Sequence, residues 1–342
     1  MKKEIGKLQT VDAETLVSTP LKPIRYIVDE ILPMGLHILA GKPKAGKSWL
    51  MLWLCSRIAS GGDVWGLKTH PCEVLYLCLE DTYVRIQERF FQLKEDAPET
   101  LHISTIAQAI GEGLEEQICL FKEEHPDLGL VVIDTFQRVR IARNDNQVYS
   151  NDYSDLTRLK RIADEKGIGI MVVHHLRKMT SDDPFNMISG STGLTGAADS
   201  CLVLLKESRE EGDAKLCIEG RDTAYQEFHL RFDNLHWDLV QRSNQDEIRK
   251  SKVPDFIWVV AEWILACGPW QGSASDLTAT LAIDYPINRI TQKLNEHKDA
   301  LKEKGVLYGY RRTGQKRIIG LKSDCDSSDG SDGRFAGSGG DA

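Results

Sequence analysis

The chain has 342 residues, 41% hydrophobic and 27% charged, enough to bury the cores of one large domain and a smaller one with no disulfide or metal staple. Its net charge of −8 argues against a protein that coats DNA non-specifically. The longest apolar runs, at 128–133 and 168–173, are far shorter than the roughly 20 residues that span a bilayer. The basic start at 1–7 leads into no apolar stretch, so no signal peptide and a cytoplasmic location are expected. None of the eight cysteines falls in a C-x-x-C pair, and reduced core thiols are the expectation.

In chain order, residues 1–30 are polar with two prolines and read as an irregular lead-in with one short helix. From 31 to 242 apolar runs alternate with amphipathic stretches. Strands are predicted at 36–40, 74–79, 130–133, 168–173, 201–205, 215–218 and 227–232. The early runs are apolar at every position, the mark of a strand covered on both faces. Helices are predicted between them at 47–60, 82–93, 114–124 and 152–166. The last carries Tyr153, Leu156, Leu159, Ile162 and Ala163, a spacing of three and four. Alternation of this kind builds a twisted, mainly parallel sheet wrapped by helices. The last strands lack intervening helices and are expected to be antiparallel. A polar stretch at 241–250 marks a boundary, with a linker expected over 243–254. A small domain at 255–321 follows, and the tail 322–342, rich in Ser, Gly and Asp, is expected to be disordered.

The strongest motif is Gly41-Lys42-Pro43-Lys44-Ala45-Gly46-Lys47-Ser48, followed by Trp49. It lies between a predicted strand and a predicted helix, the context that a phosphate-binding P-loop needs. Its glycines let backbone amides turn inward, and the helix N-terminus adds positive potential, so a polyphosphate such as ATP is held by fixed dipoles. Lys47 is expected to reach the β- and γ-phosphates, and Ser48 to ligate Mg²⁺. Asp134 ends the apolar run 130–133. A carboxylate there is costly without a cation, and an Mg²⁺ shared with Ser48 supplies one. Glu80 ends the run 74–79; parallel strands bring their C-terminal ends to one edge, where Glu80 could polarise an attacking water. Alternatively Glu80-Asp81 only starts the next helix, with Asp81 as its cap. His174 and His175 close a further strand and could sense the γ-phosphate, with His175 preferred. A zinc site there is disfavoured, because adjacent strand residues face opposite ways.

Taken in order, these pieces resemble the RecA-like ATPases of the RepA type, which include small hexameric replicative helicases of plasmids and ATPases of phages and integrative elements. Further matching stretches are 172–178, 188–200 and Glu219-Gly220-Arg221-Asp222, so the resemblance spans 36–237. It implies a RecA-like core, a ring, usually hexameric, and ATP held between subunits. On that model Arg221 is an arginine finger for the neighbour's site; a local salt bridge to Asp222 or Glu219 is the alternative. The Gly-rich segment 189–197, with Arg177 and Lys178 before it, would line a channel for single-stranded DNA.

Beyond residue 250 the balance turns mildly basic, ten Lys/Arg against seven Asp/Glu over 251–320. Helices are predicted at 256–266, 275–282 and 287–304, with two strands over 308–321 turning at Thr313-Gly314. Three helices and a wing suggest a winged helix, with Arg289, Lys293, Arg311, Arg312, Lys316 and Arg317 available to duplex phosphates; protein docking is the other use of that architecture. Two functions follow from the whole chain. One is a DNA-dependent ATPase or helicase serving replication of a mobile element. The other is an ATP-switched DNA-binding regulator or loader that does not unwind. A small-molecule kinase is disfavoured, since no acceptor-binding lid is evident.

Overall fold

Seven consecutive buried residues, Gly35–Gly41, form a central strand of a nine-stranded sheet in the computed structural model. The structure describes residues 8, 10–21, 23–93, 97–141, 148–177, 181–189, 192–206, 212–251, 253–313 and 316–324. The chain divides into two units, Met1–Gln245 and Asp246–Ala342. Lys178, residues 190 and 191 of the segment expected to line a channel, Gly314 and most of the acidic tail lie outside the described residues.

In the first unit the elements run α1 (Ala13–Ser18), β1 (Tyr26–Val28), β2 (Leu32–Pro33), β3 (Gly35–Gly41), α2 (Lys47–Ser60), β4 (Glu73–Cys78), α3 (Tyr83–Leu93) and β5 (Leu101–Ser104). They continue as α4 (Leu114–Glu124), β6 (Leu128–Asp134), α5 (Val148–Lys166), β7 (Gly169–His175), α6 (Thr192–Ala197), β8 (Ser200–Lys206), β9 (Asp213–Gly220), β10 (Gln226–Asp233) and β11 (His236–Asn244). The large sheet has the order β5-β4-β6-β7-β3-β8-β9-β10-β11. From β5 to β8 every pairing is parallel, and β9 to β11 complete it as antiparallel strands. The sheet is therefore mainly parallel with helices on both faces, and β7 lies between the strand β3 that leads into the Gly41–Ser48 loop and the aspartate-bearing β6.

Both faces of the sheet are covered, which explains why its central strands are apolar at every position. Leu39, Tyr76 and Val132 pack with Leu50, Met51 and Leu54 of α2 on one face. Ile38, Leu77 and Ile133 pack with Leu114 and Ile118 of α4 and Leu156 and Leu159 of α5 on the other. The seven described cysteines are all free, four of them buried. No helix among the described residues is long and apolar enough to cross a membrane.

β5 and β11 had no counterpart in the sequence reading. β5 is Leu-His-Ile-Ser, part-exposed along its length, and β11, at the far edge, ends in four polar residues and buries only Trp237 and Ser243. An edge strand pairs on one side only and need not be apolar throughout. The polar stretch 241–250 is not a loop: it finishes β11 and enters α7 (Gln245–Ser251).

The second unit continues with α8 (Asp255–Cys267), β12 (Trp270–Gly272), α9 (Ala274–Leu281), α10 (Ile287–Glu296), α11 (Lys298–Glu303), β13 (Val306–Thr313) and β14 (Lys316–Ser323). Its sheet is antiparallel in the order β12-β14-β13. Phe256, Ile257, Ile264, Leu277, Ile290, Leu301 and Ile319 form its core. The single helix expected over 287–304 is two, because His297 leaves helical geometry at φ −108°, ψ 23°. The break lets Ile290 and Leu301 both reach that core.

Candidate nucleotide site

β3 delivers the chain to the sheet edge at Gly41, and the loop then turns through Lys44 (φ 63°) and Gly46 (φ 94°) into α2. No side chain caps α2, so its first amides face the cleft as donors. Lys47 is 7% exposed, and its ammonium donates to the carbonyls of Gly41 at 2.8 Å and Lys42 at 3.1 Å. Burial lowers its pKa, while the charges of Asp134 and Glu80 act to raise it. The loop is braced from behind by Trp237, whose indole N–H donates to the Gly46 carbonyl at 3.3 Å.

The strand register assembles the remaining groups. Gly41 pairs with His175, and Asp134 pairs with Val173 and with Cys78, so β3, β7, β6 and β4 end along one edge. Asp134 is 5% exposed. Its carboxylate accepts from the Tyr76 hydroxyl at 3.0 Å and from the Ser48 hydroxyl. Burial raises its pKa more than these hydrogen bonds and Lys47 lower it. Such a carboxylate is short of positive charge. Glu80 lies beyond the end of β4 with its side chain 49% exposed, accepts from the Thr135 hydroxyl at 3.0 Å and stands 3.9 Å from the Arg138 guanidinium. Asp81 instead pairs with Arg85 at 2.8 Å and Arg89 at 2.6 Å, so the two adjacent acids have separate partners. His175 and His174 diverge. His174 turns inward to the Ser189 carbonyl at 2.8 Å and the edge of Phe136. His175 faces the cleft, and burial together with the nearby Lys47 charge lowers its pKa.

A cleft of about 490 Å³ is lined by Pro43, Lys44, Ala45, Gly46, Lys47, Ser48, Trp49, Glu80, Asp134, Thr135 and His175. Three further wall residues escaped the sequence reading: Arg89, which lies over the Trp49 ring at 5.4 Å, and Lys206 and Phe232, themselves in contact at 5.7 Å. They belong to no motif, and only the packing of α3, β8 and β10 brings them in. The donor set suits a magnesium–nucleotide: two oxygens, of Ser48 and Asp134, are already side by side, and a buried, under-compensated carboxylate is what a hard cation neutralises.

Arg221 is not part of this cleft. It follows β9, whose Gly220 pairs with Ser200, and Ser200 pairs with His37. His37 precedes Gly41 by four residues, so Arg221 lies about 13 Å along the strands from the P-loop edge. Its guanidinium is 61% exposed and 3.6 Å from Asp199, with a further bond to the Gly196 carbonyl at 3.1 Å. Asp199, not Asp222 or Glu219, is its local partner. The Gly-rich segment before it forms α6 over Thr192–Ala197.

A family model described as an AAA domain matches residues 2–181. Among solved structures, one ATPase domain is 16% identical with a TM-score of 0.49, over 61% of this chain and 85% of that one. A DnaB-like replicative helicase, solved in a study of its interactions with primase, is also 16% identical with a TM-score of 0.49, over 60% of this chain and 58% of that one, so less than two thirds of its length is spanned. No curated protein matches the chain.

Proposed function

The chain belongs to the AAA domain family and is a P-loop ATPase, and from that premise we propose a ring-forming, ATP-driven motor that acts on DNA, of helicase type, in the replication of a plasmid, phage or integrative element. The observation that carries the motor chemistry is the convergence of Lys47, Ser48, Glu80, Asp134 and His175 on one cleft. Ser48 and Asp134 would hold Mg²⁺, which when bound supplies neutralisation of charge on the terminal phosphates. Lys47 exchanges its two loop carbonyls for β- and γ-phosphate oxygens, and the α2 amides hold the rest of the polyphosphate. Glu80 accepts the proton of the attacking water, with Thr135 fixing its carboxylate. His175, whose Nδ1 is buried and makes no hydrogen bond among the described residues, would register whether a γ-phosphate is present.

A ring is supported by the position of Arg221. An exposed guanidinium at the opposite sheet edge cannot serve its own cleft, but it can complete a neighbour's as an arginine finger. Asp199 would hold it in the resting subunit. DNA enters this reading through the earlier resemblance, with 189–197 as the channel-facing segment.

One observation favours a second reading, an ATP-switched duplex-binding regulator or loader. On the β13–β14 hairpin the exposed Arg312 and Arg317 are directly cross-strand. Like charges so placed repel unless an anion bridges them. With the exposed Arg289 on α10 they fit a winged helix that grips DNA phosphates.

ATP hydrolysis by the purified protein, with and without single-stranded and forked DNA, alongside the mass of the assembly with ATP, separates these readings. Stimulated turnover, strand separation and a ring mass support the motor. DNA-indifferent turnover with no unwinding, but duplex binding by the full chain that changes with nucleotide, supports the second. If the protein has no affinity for ATP, and Lys47→Ala alters nothing, both fail.

A further inference from the structure

At the edge of the sheet opposite the P-loop, three side chains from separate segments point at one spot. Glu73 opens β4, His102 lies in the edge strand β5, and His125 follows the last turn of α4. His102 Nε2 is 2.9 Å and His125 Nδ1 is 2.7 Å from the same oxygen, Oε2 of Glu73. The two imidazoles touch, with centroids 4.3 Å apart. Phe121 stacks on His125 at 4.2 Å and 20° and meets His102 edge-on at 5.2 Å, which fixes both ring planes. All three side chains are part-buried, between 20% and 29% exposed.

We propose that Glu73, His102 and His125 form a binding site for Zn²⁺, separate from the nucleotide cleft. Two imidazole nitrogens and one carboxylate are an established zinc donor set that leaves a position for water. Their ligand atoms lie within 4.8 Å of one another. Tetrahedral zinc with bonds near 2.0–2.1 Å spaces its donors by about 3.3 Å. The two N–O separations of 2.9 and 2.7 Å therefore need to open by about half an ångström, within reach of small side-chain rotations. Cys72, the neighbouring thiol, is engaged with the Gly129 backbone instead, so the set is nitrogen and oxygen only. Oxygen-seeking Mg²⁺ is a poor match to two imidazoles, which keeps the site distinct from the one at Ser48 and Asp134.

Without an ion, the same groups form a hydrogen-bonded triad. Partial burial would raise the Glu73 pKa, but the bonds from His102 and His125 prevail and hold it below its ordinary value. Zinc would take the place of the two hydrogen bonds at His102 Nε2 and His125 Nδ1, each neutral ring then carrying its proton on the other nitrogen. Its structural effect is to tie the start of β4, the edge strand β5 and the end of α4 together. The site does not depend on the proposed function, and loss of ATPase activity would leave it intact.

The test uses the full chain, stripped of metal with EDTA and dialysed. Titration with Zn²⁺ should show one tight equivalent per chain and a rise in melting temperature, and Co²⁺ should give a four-coordinate visible spectrum. The affinity should fall on acidification, because protons compete with Zn²⁺ for the ligand atoms. Glu73→Gln and the pair His102→Gln/His125→Gln should weaken binding at least about 100-fold, beyond what loss of an outer-shell partner costs. Lys47→Ala and Cys267→Ser should bind as the parent does. Absence of a stoichiometric equivalent in the parent, retention of it in the double variant, or its loss in Cys267→Ser would overturn the assignment. Should the double variant not fold, the Co²⁺ spectrum of the parent decides: an octahedral, weakly absorbing complex refutes it.

Discussion

Substituting alanine for Gly46 joins stability and nucleotide binding at one atom. Gly46 has φ 94°, and a Cβ built on it would lie 2.8 Å from Cζ2 of Trp237 and 3.3 Å from Cε2. The indole cannot easily yield. Trp237 is 1% exposed, packs on Phe232 at 4.7 Å, and its own carbonyl accepts from the Trp65 indole at 2.7 Å. Left-handed backbone geometry costs a non-glycine residue about 1–2 kcal/mol, and overpacking a rigid core site about 1–3 kcal/mol more. Gly46→Ala is therefore expected to destabilise the first unit by about 2–5 kcal/mol, a fall of about 1 M in its urea midpoint for an m-value near 3 kcal/mol/M. ATP binding should fall with it, because the strain is relieved by moving the loop that presents the amides. Gly66→Ala is the internal control. Its φ is 80° with nothing within 4 Å, so it should show the backbone cost alone. In a double-mutant cycle Trp237→Phe, which removes the clashing ring, should recover part of the Gly46→Ala loss. Equal midpoints for Gly46→Ala and Gly66→Ala, measured by far-UV circular dichroism, with ATP affinity intact, would refute the view that Trp237 sets the shape of the P-loop.

Glu80→Gln keeps an acceptor for Thr135 but removes the base, so kcat should fall about 10²–10⁴-fold in a phosphate-release assay while nucleotide affinity is kept. Asp134→Asn should stabilise the metal-free protein at neutral pH while abolishing magnesium-dependent turnover. Because the native pKa is raised by burial, charging Asp134 costs native stability as pH climbs above the ordinary value of 3.8, and the advantage of Asn should vanish below it; urea midpoints across that range check the sign. His37 is buried between Ser200 and the Pro33 carbonyl, and desolvation holds its pKa down to about 4 against 6.5. Its neutral form stabilises the fold above 6.5, and that stability is lost as pH falls towards 4, by about 2 kcal/mol at pH 5, a loss that His37→Gln should lack in urea titrations. Arg221→Ala and Lys47→Ala should each be inactive alone, yet mixing them should restore some ATP turnover. Intact P-loops would then face intact fingers across mixed interfaces, and no recovery in assembled mixtures would exclude a role in trans.

The sheet and its loaded edge were legible in the order of residues. Strands covered on both faces must be apolar throughout, so β3, β4, β6 and β7 stood out as runs. Parallel strands must end together, so the order of residues alone gathers Asp134, Glu80 and His175 beside the Gly41–Ser48 loop. What depends on lateral order and on edges came from the folded chain. Part-exposed β5 and β11 carry no continuous apolar signal, and the wall residues Arg89, Lys206 and Phe232 reach the cleft only because α3, β8 and β10 pack where they do. The same holds for Asp199 as the partner of Arg221, and for Glu73, His102 and His125, separated by 29 and 23 residues in the chain. Periodicity reports which face of an element is buried, whereas convergence of side chains from distant elements is set by strand order and register. No local pattern encodes that.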